Sequence, residues 1–230
     1  MRDWNALLIH GAGGGAWEWT RWRGVLEAHA IAVQAVELQP ASQGLAATAL
    51  QDYAMQVRSM LRDMPRPRAL VGASLGGLLA AMCANQADAL VLVNPLPPAP
   101  WQQRLARRSW GPVVPWRQNA RLHSTREAMP DADEASAMLA FRGWRDESGR
   151  ALGEAYAGIE AAKPDCPALF IVSGQDEDVP PEIIFDWART WRADRLETIA
   201  GSHVGPLLGR QAPAVASQAV AWLNRLGRTG

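Results

Sequence analysis

The sequence predicts an α/β fold, in which a mostly parallel β-sheet is flanked by helices. Short apolar runs end near Gly, Pro or Asn, as strands buried on both faces of a sheet do. Amphipathic stretches of helix length, such as 44–64 and 212–226, lie between several of these runs. Alternation of strands and helices indicates βαβ units, and therefore parallel strands. The apolar runs are 6–9, 31–33, 69–71, 89–93, 168–172 and, more weakly, 196–199.

The length and composition are those of an ordinary globular protein. A chain of 230 residues fits one domain, or one domain with a modest insertion. It is 48% hydrophobic and 20% charged, so it can bury a core without disulfides or metals. The formal net charge of zero gives no general attraction to nucleic acid or to an anionic membrane. We therefore expect a small-molecule substrate, with neither nucleic acid nor membrane as a partner.

Neither the N-terminus nor the cysteines indicate a secreted or metal-binding protein. The first residues lack a secretory signal, and no apolar stretch is long enough to cross a bilayer, so we expect a cytoplasmic protein. Cys83 and Cys166 are far apart in sequence and show no zinc-ligand spacing. We expect two free thiols and no metal site.

The alternation of strands and helices breaks once, between the runs at 89–93 and 168–172. This interval begins with a proline-rich stretch at 95–100 and ends with another at 163–167. A long disordered loop is the alternative, but disordered segments are poor in aromatic residues, and four tryptophans lie here. We predict a core of 1–96 and 164–230, with residues 97–163 inserted as a small, mostly helical cap.

A candidate nucleophile lies in the sequence Gly-Ala-Ser-Leu-Gly at 72–76. This Gly-x-Ser-x-Gly pattern follows a predicted strand and precedes an Ala- and Leu-rich helix, which is the context of a nucleophilic serine on a sharp turn. Gly72 and Gly76 would let the strand and the helix approach closely. A bare pentapeptide of this kind is more often a turn serine or a helix N-cap than a nucleophile. The flanking elements favour Ser74 as the nucleophile.

A glycine-rich loop at 11–15 follows the first strand and is a candidate oxyanion hole. Acyl transfer needs two donors aimed at the oxyanion. The backbone N–H of Leu75 is one, and Ala12 is our choice for the other. A dinucleotide site is the rival interpretation, but the glycine spacing fits it poorly, although Glu37 could serve as its acidic residue. We expect His10 to shape this loop through hydrogen bonds.

A candidate base follows the last predicted strand. His203 lies on a loop from which its imidazole could reach the serine. The acid should lie between serine and histidine in the chain, where it would fix the imidazole tautomer and stabilise the imidazolium. Three acids, Asp176, Glu177 and Asp178, follow the preceding strand. Asp176 is favoured because an acid followed by two residues and Val-Pro is the usual arrangement, with Glu177 and Asp178 as alternatives.

Together these motifs resemble the α/β-hydrolase superfamily over essentially the whole chain. The stretch 10–19, His-Gly-Ala-Gly-Gly-Gly-Ala-Trp-Glu-Trp, is similar to the opening of small esterases related to plant methylesterases and hydroxynitrile lyases. The resemblance implies an α/β-hydrolase fold with about six strands, a cap over the active site and no cofactor. It also implies a triad and two oxyanion donors: Ser74, Asp176 and His203, with Ala12 and Leu75.

Departures from this resemblance favour hydrolysis. In the lyases a lysine directly follows the catalytic histidine, where this chain has Val204. The lyases also tend to have threonine in place of Gly11. The spacing from Gly174 to Asp176 is one residue shorter than in the common Gly-x-x-Asp pattern.

We expect a serine hydrolase that cleaves an ester or thioester of a small to medium organic acid through an acyl-enzyme. A lyase or carbon–carbon bond hydrolase on the same scaffold and a low-turnover ligand-binding protein are the alternatives.

The predicted cap contributes candidate substrate contacts. Residues 102–126 contain six arginines and no acidic residue. Arg107 and Arg108 could attract a substrate that bears carboxylate or phosphate, and Trp101 and Trp110 could line an aromatic pocket. The alternatives are a solvated helix face paired with acids in 127–134, and tryptophans that form the core of the cap.

Overall fold

A six-stranded parallel sheet forms the centre of the molecule in the computed structural model, which describes residues 3–198 and 201–227. The strands are β1 (Asn5–Ile9), β2 (Ala32–Ala35), β3 (Arg68–Ala73), β4 (Ala89–Val93), the short β5 (Val113–Val114) and β6 (Glu147–Ser148), β7 (Ala168–Ser173) and β8 (Asp194–Thr198). The order in the sheet is β2-β1-β3-β4-β7-β8. The predicted α/β fold class is confirmed.

Helices cover both faces of this sheet. They are α1 (Thr20–Ala28), α2 (Leu50–Asp63), α3 (Leu75–Met82), α4 (Trp116–Asn119), α5 (Leu122–Ala128), α6 (Glu134–Gly143), α7 (Gly149–Ala157), α8 (Pro181–Trp191), α9 (Gly205–Leu208) and α10 (Ala212–Leu226). In the part of the chain that the structure describes, no helix has both the length and the hydropathy needed to cross a membrane.

The predicted strands agree closely with the observed ones. The run at 89–93 coincides with β4, and the run at 31–33 begins one residue ahead of β2. All residues of β4 and β7 are buried, whereas the edge strands β2 and β8 are largely exposed. The edge strands therefore carry the weaker apolar patterns. Ile199, the end of the last predicted run, lies outside the described residues.

The sheet separates two hydrophobic clusters. Because side chains alternate along a strand, Leu7 and Ile9 of β1 face one cluster, and Ala6 and Leu8 face the other. Helices α2, α3 and α8 pack in the first cluster, and α1 and α10 pack in the second. Several of the abundant tryptophans are core residues: Trp4, Trp19, Trp22, Trp187 and Trp222 are almost fully buried.

The interval between β4 and β7 contains helices α4 to α7, in agreement with its predicted helical character. It also contains an antiparallel pair that the sequence did not predict, in which Val113 of β5 lies opposite Ser148 of β6. Strands of two residues are too short to leave an alternating apolar pattern. Cys83 is buried, Cys166 is half-buried, and both are free thiols.

The turn between β3 and α3 is packed closely against backbone atoms. A Cβ at position 76 would lie 2.2 Å from the carbonyl oxygen of Ile9, and one at position 72 would lie 2.2 Å from that of Gly76. Both obstructing atoms belong to the backbone, so no side chain could rotate away to make room. Gly72 and Gly76 are required for α3 to start where it does.

We expect Gly76→Ala to lower the free energy of unfolding by about 3 kcal/mol, since overpacking against backbone cannot relax. Gly24→Ala is the matched control, because nothing lies within 4 Å of its new Cβ in the exposed middle of α1. That control should raise stability by about 0.5–1 kcal/mol. Urea unfolding of both variants measures the difference, and equal stabilities would contradict the steric argument.

Candidate active site

Ser74 occupies the turn between β3 and α3 in a strained conformation. Its φ of 52° and ψ of −120° lie in a region that residues with a side chain rarely adopt. The Ser74 amide donates to the carbonyl of Val93 at 3.1 Å, and the Ser74 carbonyl accepts from Gly77 and Leu78. These bonds hold the residue in place while its side chain faces a cavity.

Two backbone amides near Ser74 are available to bind an oxyanion. Leu75 is the first residue of α3, so its N–H has no acceptor within the helix. Ala12 belongs to the loop that follows β1, and both residues line the cavity with Ser74. Neither amide donates to a backbone or side-chain acceptor among the described residues. The two positions are those that the sequence predicts for the oxyanion donors.

His10 fixes the shape of this loop. Its Nδ1 donates to the Gly11 carbonyl at 2.7 Å, and its Nε2 accepts from the Leu38 amide at 3.1 Å and from Arg145 at 3.2 Å. Burial, together with the charge of Arg145, lowers the pKa of His10 to about 4. The imidazole is therefore neutral at physiological pH and acts as a structural group, as the sequence predicts.

His203 and Asp176 form the closest pair of titratable groups at the cavity. His203 Nδ1 lies 2.7 Å from Asp176 Oδ2, and the carboxylate is fully buried. The other carboxylate oxygen, Oδ1, accepts from the amides of Asp178 at 2.9 Å and Val179 at 3.0 Å. Of the three candidate acids, Asp176 is the one that contacts the histidine, whereas Glu177 and Asp178 are exposed.

The environment of His203 favours its charged form. Burial alone would lower the pKa of the imidazole, but the hydrogen bond that His203 donates to Asp176 and the charges of Asp176, Asp178 and Glu18 outweigh burial. The pKa of His203 is therefore raised above its ordinary value. As the pH rises through this pKa, the imidazole loses its proton and becomes able to accept one.

Asn94 is a site residue that the sequence analysis missed. It follows β4 with a φ of 40°, and its Nδ2 donates to the His203 carbonyl at 2.7 Å and to Ser173 Oγ at 2.9 Å. The Ser173 amide donates back to Asn94 Oδ1 at 2.8 Å. Asn94 thus ties the ends of β4 and β7 to the histidine loop. A lone polar residue at the end of a fully apolar strand was the available signal.

Ser74 and His203 line the same cavity but are not joined by a direct hydrogen bond in the part of the chain that the structure describes. Such contacts between nucleophile and base are often long without substrate and tighten when substrate binds. The arrangement brings the serine, the imidazole and the two free amides to one wall of the cavity. These are the groups that nucleophilic acyl transfer requires.

The cavity has a volume of about 430 Å³ and is lined mostly by residues of the insertion, several of them aromatic. The aromatic residues are Trp110, Trp116, Trp144 and Tyr156. Of the predicted substrate contacts, Trp110 and Arg108 are on the wall. Trp101 and Arg107 are not: Trp101 stacks on Trp187 with ring centroids 5.9 Å apart, and Arg107 is exposed to solvent.

The arginines of the insertion differ in their partners. Arg108 pairs with Asp178 at 3.0 Å and lies 6.0 Å from the ring of Tyr156. Arg126 pairs with Glu134, as the solvated-face alternative expects. Arg121 is the cavity arginine without an acidic partner among the described residues, since its side-chain hydrogen bond goes to the Ala120 carbonyl. Its charge is thus available to a ligand.

Asp176, Asp178 and His203 are also a set of side chains close enough to hold a metal ion, with donor atoms within 4.8 Å of one another. The His203 Nδ1 and Asp176 Oδ2 atoms already bond to each other, and Asp178 pairs with Arg108. The geometry is that of a hydrogen-bonded acid–base pair.

Comparisons with known proteins identify the family and the fold. A family model described as "Alpha/beta hydrolase family" matches residues 6–218. Among solved structures, polyneuridine aldehyde esterase matches with a TM-score of 0.72 at 17% identity, over 95% of this chain and 100% of that chain. Tomato methylketone synthase I, complexed with 2-tridecanone, matches with a TM-score of 0.76 at 17% identity, over 98% and 99%. No curated protein matches the chain by sequence.

A thioesterase domain from the curacin biosynthetic pathway is also similar. Its TM-score is 0.69 at 18% identity, and the match covers 95% of this chain and 91% of that chain. At these identities the three structures share the fold with this chain. They leave the substrate to be argued from the site itself.

We expect Asp176→Asn to lower the pKa of His203 below its wild-type value, because burial then meets less opposition from negative charge. Glu177→Gln is the matched control, since Glu177 is the exposed neighbour of Asp176. Titration of the His203 ring protons by NMR measures both variants. A shift of equal size in the control would mean that Asp176 has no special influence.

Proposed function

The chain belongs to the alpha/beta hydrolase family, and from this membership we propose that it is a serine hydrolase that cleaves a carboxylic ester or thioester. The observation that carries the proposal is the pairing of His203 with buried Asp176 beside a strained Ser74. A buried carboxylate, an oriented imidazole and a serine on a sharp turn are the parts of an activated nucleophile.

In the first step, the acyl group of the substrate is transferred to Ser74. Neutral His203 takes the proton of the Ser74 hydroxyl as Oγ attacks the carbonyl carbon. The amides of Ala12 and Leu75 donate to the oxyanion that develops. Asp176 holds the imidazole through Nδ1, so that Nε2 faces the serine, and stabilises the imidazolium. His203 then gives its proton to the leaving alcohol or thiol, which departs.

In the second step, water regenerates the enzyme. His203 takes a proton from a water molecule that attacks the acyl carbon, and the same two amides bind the second oxyanion. When this intermediate collapses, the bond to Ser74 Oγ breaks, and the serine recovers its proton from the imidazolium. The carboxylic acid is released. Because His203 must be neutral to begin each step, kcat/KM should rise with pH through the raised pKa of His203.

The cavity supports an acyl group of small to medium size with apolar character. About 430 Å³ walled by aromatic rings suits an apolar chain or a ring. Arg121 adds a cation without an acidic partner, which suits a carboxylate or phosphate on the substrate. Since these wall residues come from the insertion, we propose that 97–163 is a cap that selects the substrate.

Hydrolysis is favoured over the lyase chemistry known on similar scaffolds by the residue beside the base. Val204 lines the cavity next to His203 and offers no proton donor or cation. Two of the similar structures are an esterase and a thioesterase domain, which fits acyl transfer to water. Product analysis on the first substrate found distinguishes hydrolysis from a lyase reaction.

We expect Ser74→Ala to lower turnover by several orders of magnitude and leave the fold intact. The purified protein is treated with a fluorophosphonate probe, and the labelled peptide is identified by mass spectrometry. Labelling should occur at Ser74 and should depend on His203. Ser217→Ala is the matched control, because this exposed serine bonds only to its own helix and should not affect labelling. Wild-type turnover by clean Ser74→Ala protein would end the proposal.

We expect Arg121→Gln to raise KM for anionic esters about tenfold, because a charge-assisted contact is lost, and to leave neutral esters nearly unchanged. Mono-p-nitrophenyl esters of dicarboxylic acids are compared with neutral esters of the same chain length. Arg107→Gln is the control, since Arg107 lies on the same segment but off the cavity wall. An equal anionic preference in Arg121→Gln and wild type would reject an anionic substrate.

A further inference from the structure

A second, smaller cavity opens beside the nucleophile. It has a volume of about 90 Å³ and shares Ser74, His203 and Ala12 with the larger one. The rest of its lining is largely apolar: Gly11, Ala73, Trp144, Val204, Leu207 and Leu208. The remaining lining residue is Glu18, which has no part in the proposed acyl transfer through Ser74, His203 and Asp176.

Glu18 is held in this position by the loop that carries the oxyanion donor. It lies in a short 3-10 turn after the loop and is 5% exposed. Its Oε2 accepts from the Gly11 amide at 3.2 Å. A Cβ at position 14 would lie 1.8 Å from Oε1, so the carboxyl fits only because residue 14 is glycine. Oε1 accepts no hydrogen bond from the described residues, so the carboxyl has capacity to accept another.

A carboxyl group in this place is costly for the fold. Burial raises the pKa of Glu18 to about 7, and the hydrogen bond from Gly11 and the charges of His203 and Arg145 only partly oppose burial. The charge of Glu37 adds to the rise. Shaping the loop needs no ionisable group, because a neutral acceptor would satisfy the Gly11 amide equally well. A functional demand explains the carboxyl better than a structural one.

We propose that Glu18 is a further catalytic residue, which binds the water that hydrolyses the acyl-enzyme in this second cavity. The inference rests on the proposed function. The cavity is large enough for a water molecule, and Glu18, His203 and Ser74 offer the polar partners that a buried water needs. When the acyl group is attached to Ser74, it occupies the larger cavity, and the smaller one remains for the attacking water.

The step balances without any further reactant. The water oxygen attacks the acyl carbon and donates one proton to His203 Nε2. The second proton stays on that oxygen and is hydrogen-bonded to the Glu18 carboxylate. The bond between the acyl carbon and Ser74 Oγ then breaks, Oγ takes the proton from His203, and the carboxylic acid leaves. Glu18 orients the water and ends the step in the protonation state in which it began.

The proposal separates the two halves of the reaction. Acylation uses no water, so it should depend on Glu18 only through the charge that Glu18 places near His203, whereas deacylation should depend on it directly. In Glu18→Gln we expect the acylation rate to stay within about threefold of wild type. The deacylation rate should fall about 10- to 100-fold, since a charge-assisted hydrogen bond is lost. The amide oxygen can still accept from Gly11, so the loop should keep its shape.

The experiment follows p-nitrophenyl acetate by stopped flow, with the burst phase reporting acylation and the steady state reporting deacylation. Intact mass then shows whether acetylated enzyme accumulates in Glu18→Gln, as we expect. Hydroxylamine, which can attack the acyl-enzyme without that water, should restore turnover. Glu37→Gln is the matched control, since Glu37 accepts from the neighbouring Ala16 amide at 2.9 Å but does not line the second cavity. Its two rates should stay in the wild-type ratio.

Two outcomes would overturn the proposal: no change in either rate, or an equal fall in both, which would leave Glu18 a loop-shaping residue. Absence of a burst and of acetylated Ser74 in wild type would instead count against the proposed function.

Melting curves confirm the fold of the variant. Glu18 titrates near 7 in the fold against an ordinary 4.5, so wild type loses stability as pH rises between these values. Glu18→Gln should therefore melt higher than wild type at pH 8, and an equal melting temperature there would contradict the burial of the carboxyl.

Discussion

The close contact of α3 with the ends of β1 and β3 is the constraint on which the site geometry depends. Only glycine at 72 and 76 lets the helix begin against the Ile9 and His10 carbonyls. The chain must then turn sharply, and the residue at the turn takes a positive φ. Backbone hydrogen bonds from the amide and to the carbonyl of Ser74 offset this strain, and its side chain is held towards the cavity. The same turn leaves the Leu75 amide without a helical partner.

Parallel topology gathers the remaining groups around this turn. In a parallel sheet the carboxyl ends of all strands lie at one edge, and loops from that edge form the usual ligand crevice. The glycine-rich loop at 11–15 follows β1, Ser74 follows β3, Asn94 follows β4, and Asp176 follows β7. Asn94 then bonds to the end of β7 and to the histidine loop, so hydrogen bonds join three separate connections. The site is thus held together by the sheet and by this amide.

Local signals explain which features could be predicted from the sequence. Buried strands leave apolar runs, and the serine turn leaves a glycine pattern, so β4 and Ser74 were found directly. The cavity wall was only partly found, because which face of an irregular insertion turns inward depends on tertiary contacts. Trp101 packs on Trp187 while Trp110 faces the cavity, and Arg121 rather than Arg107 lies on the wall. Glu18 lies in the stretch 10–19 that carries the family resemblance, but nothing in the sequence indicated that its side chain faces the site.

Negative charges around His203 determine how strong a base it is. The imidazole is surrounded by Asp176, Asp178 and Glu18, and each negative charge raises its pKa. The hydrogen bond of Asp176 orients the ring, and the ion pair with Arg108 moderates the charge of Asp178. Glu18 has no such ion pair among the described residues, and burial keeps it partly protonated near neutral pH. Ionising both Glu18 and Asp176 would stabilise the imidazolium and weaken His203 as a base. In the proposed mechanism the ionised form of Glu18 accepts the hydrogen bond from the attacking water, and a pKa of about 7 makes this form available at neutral pH.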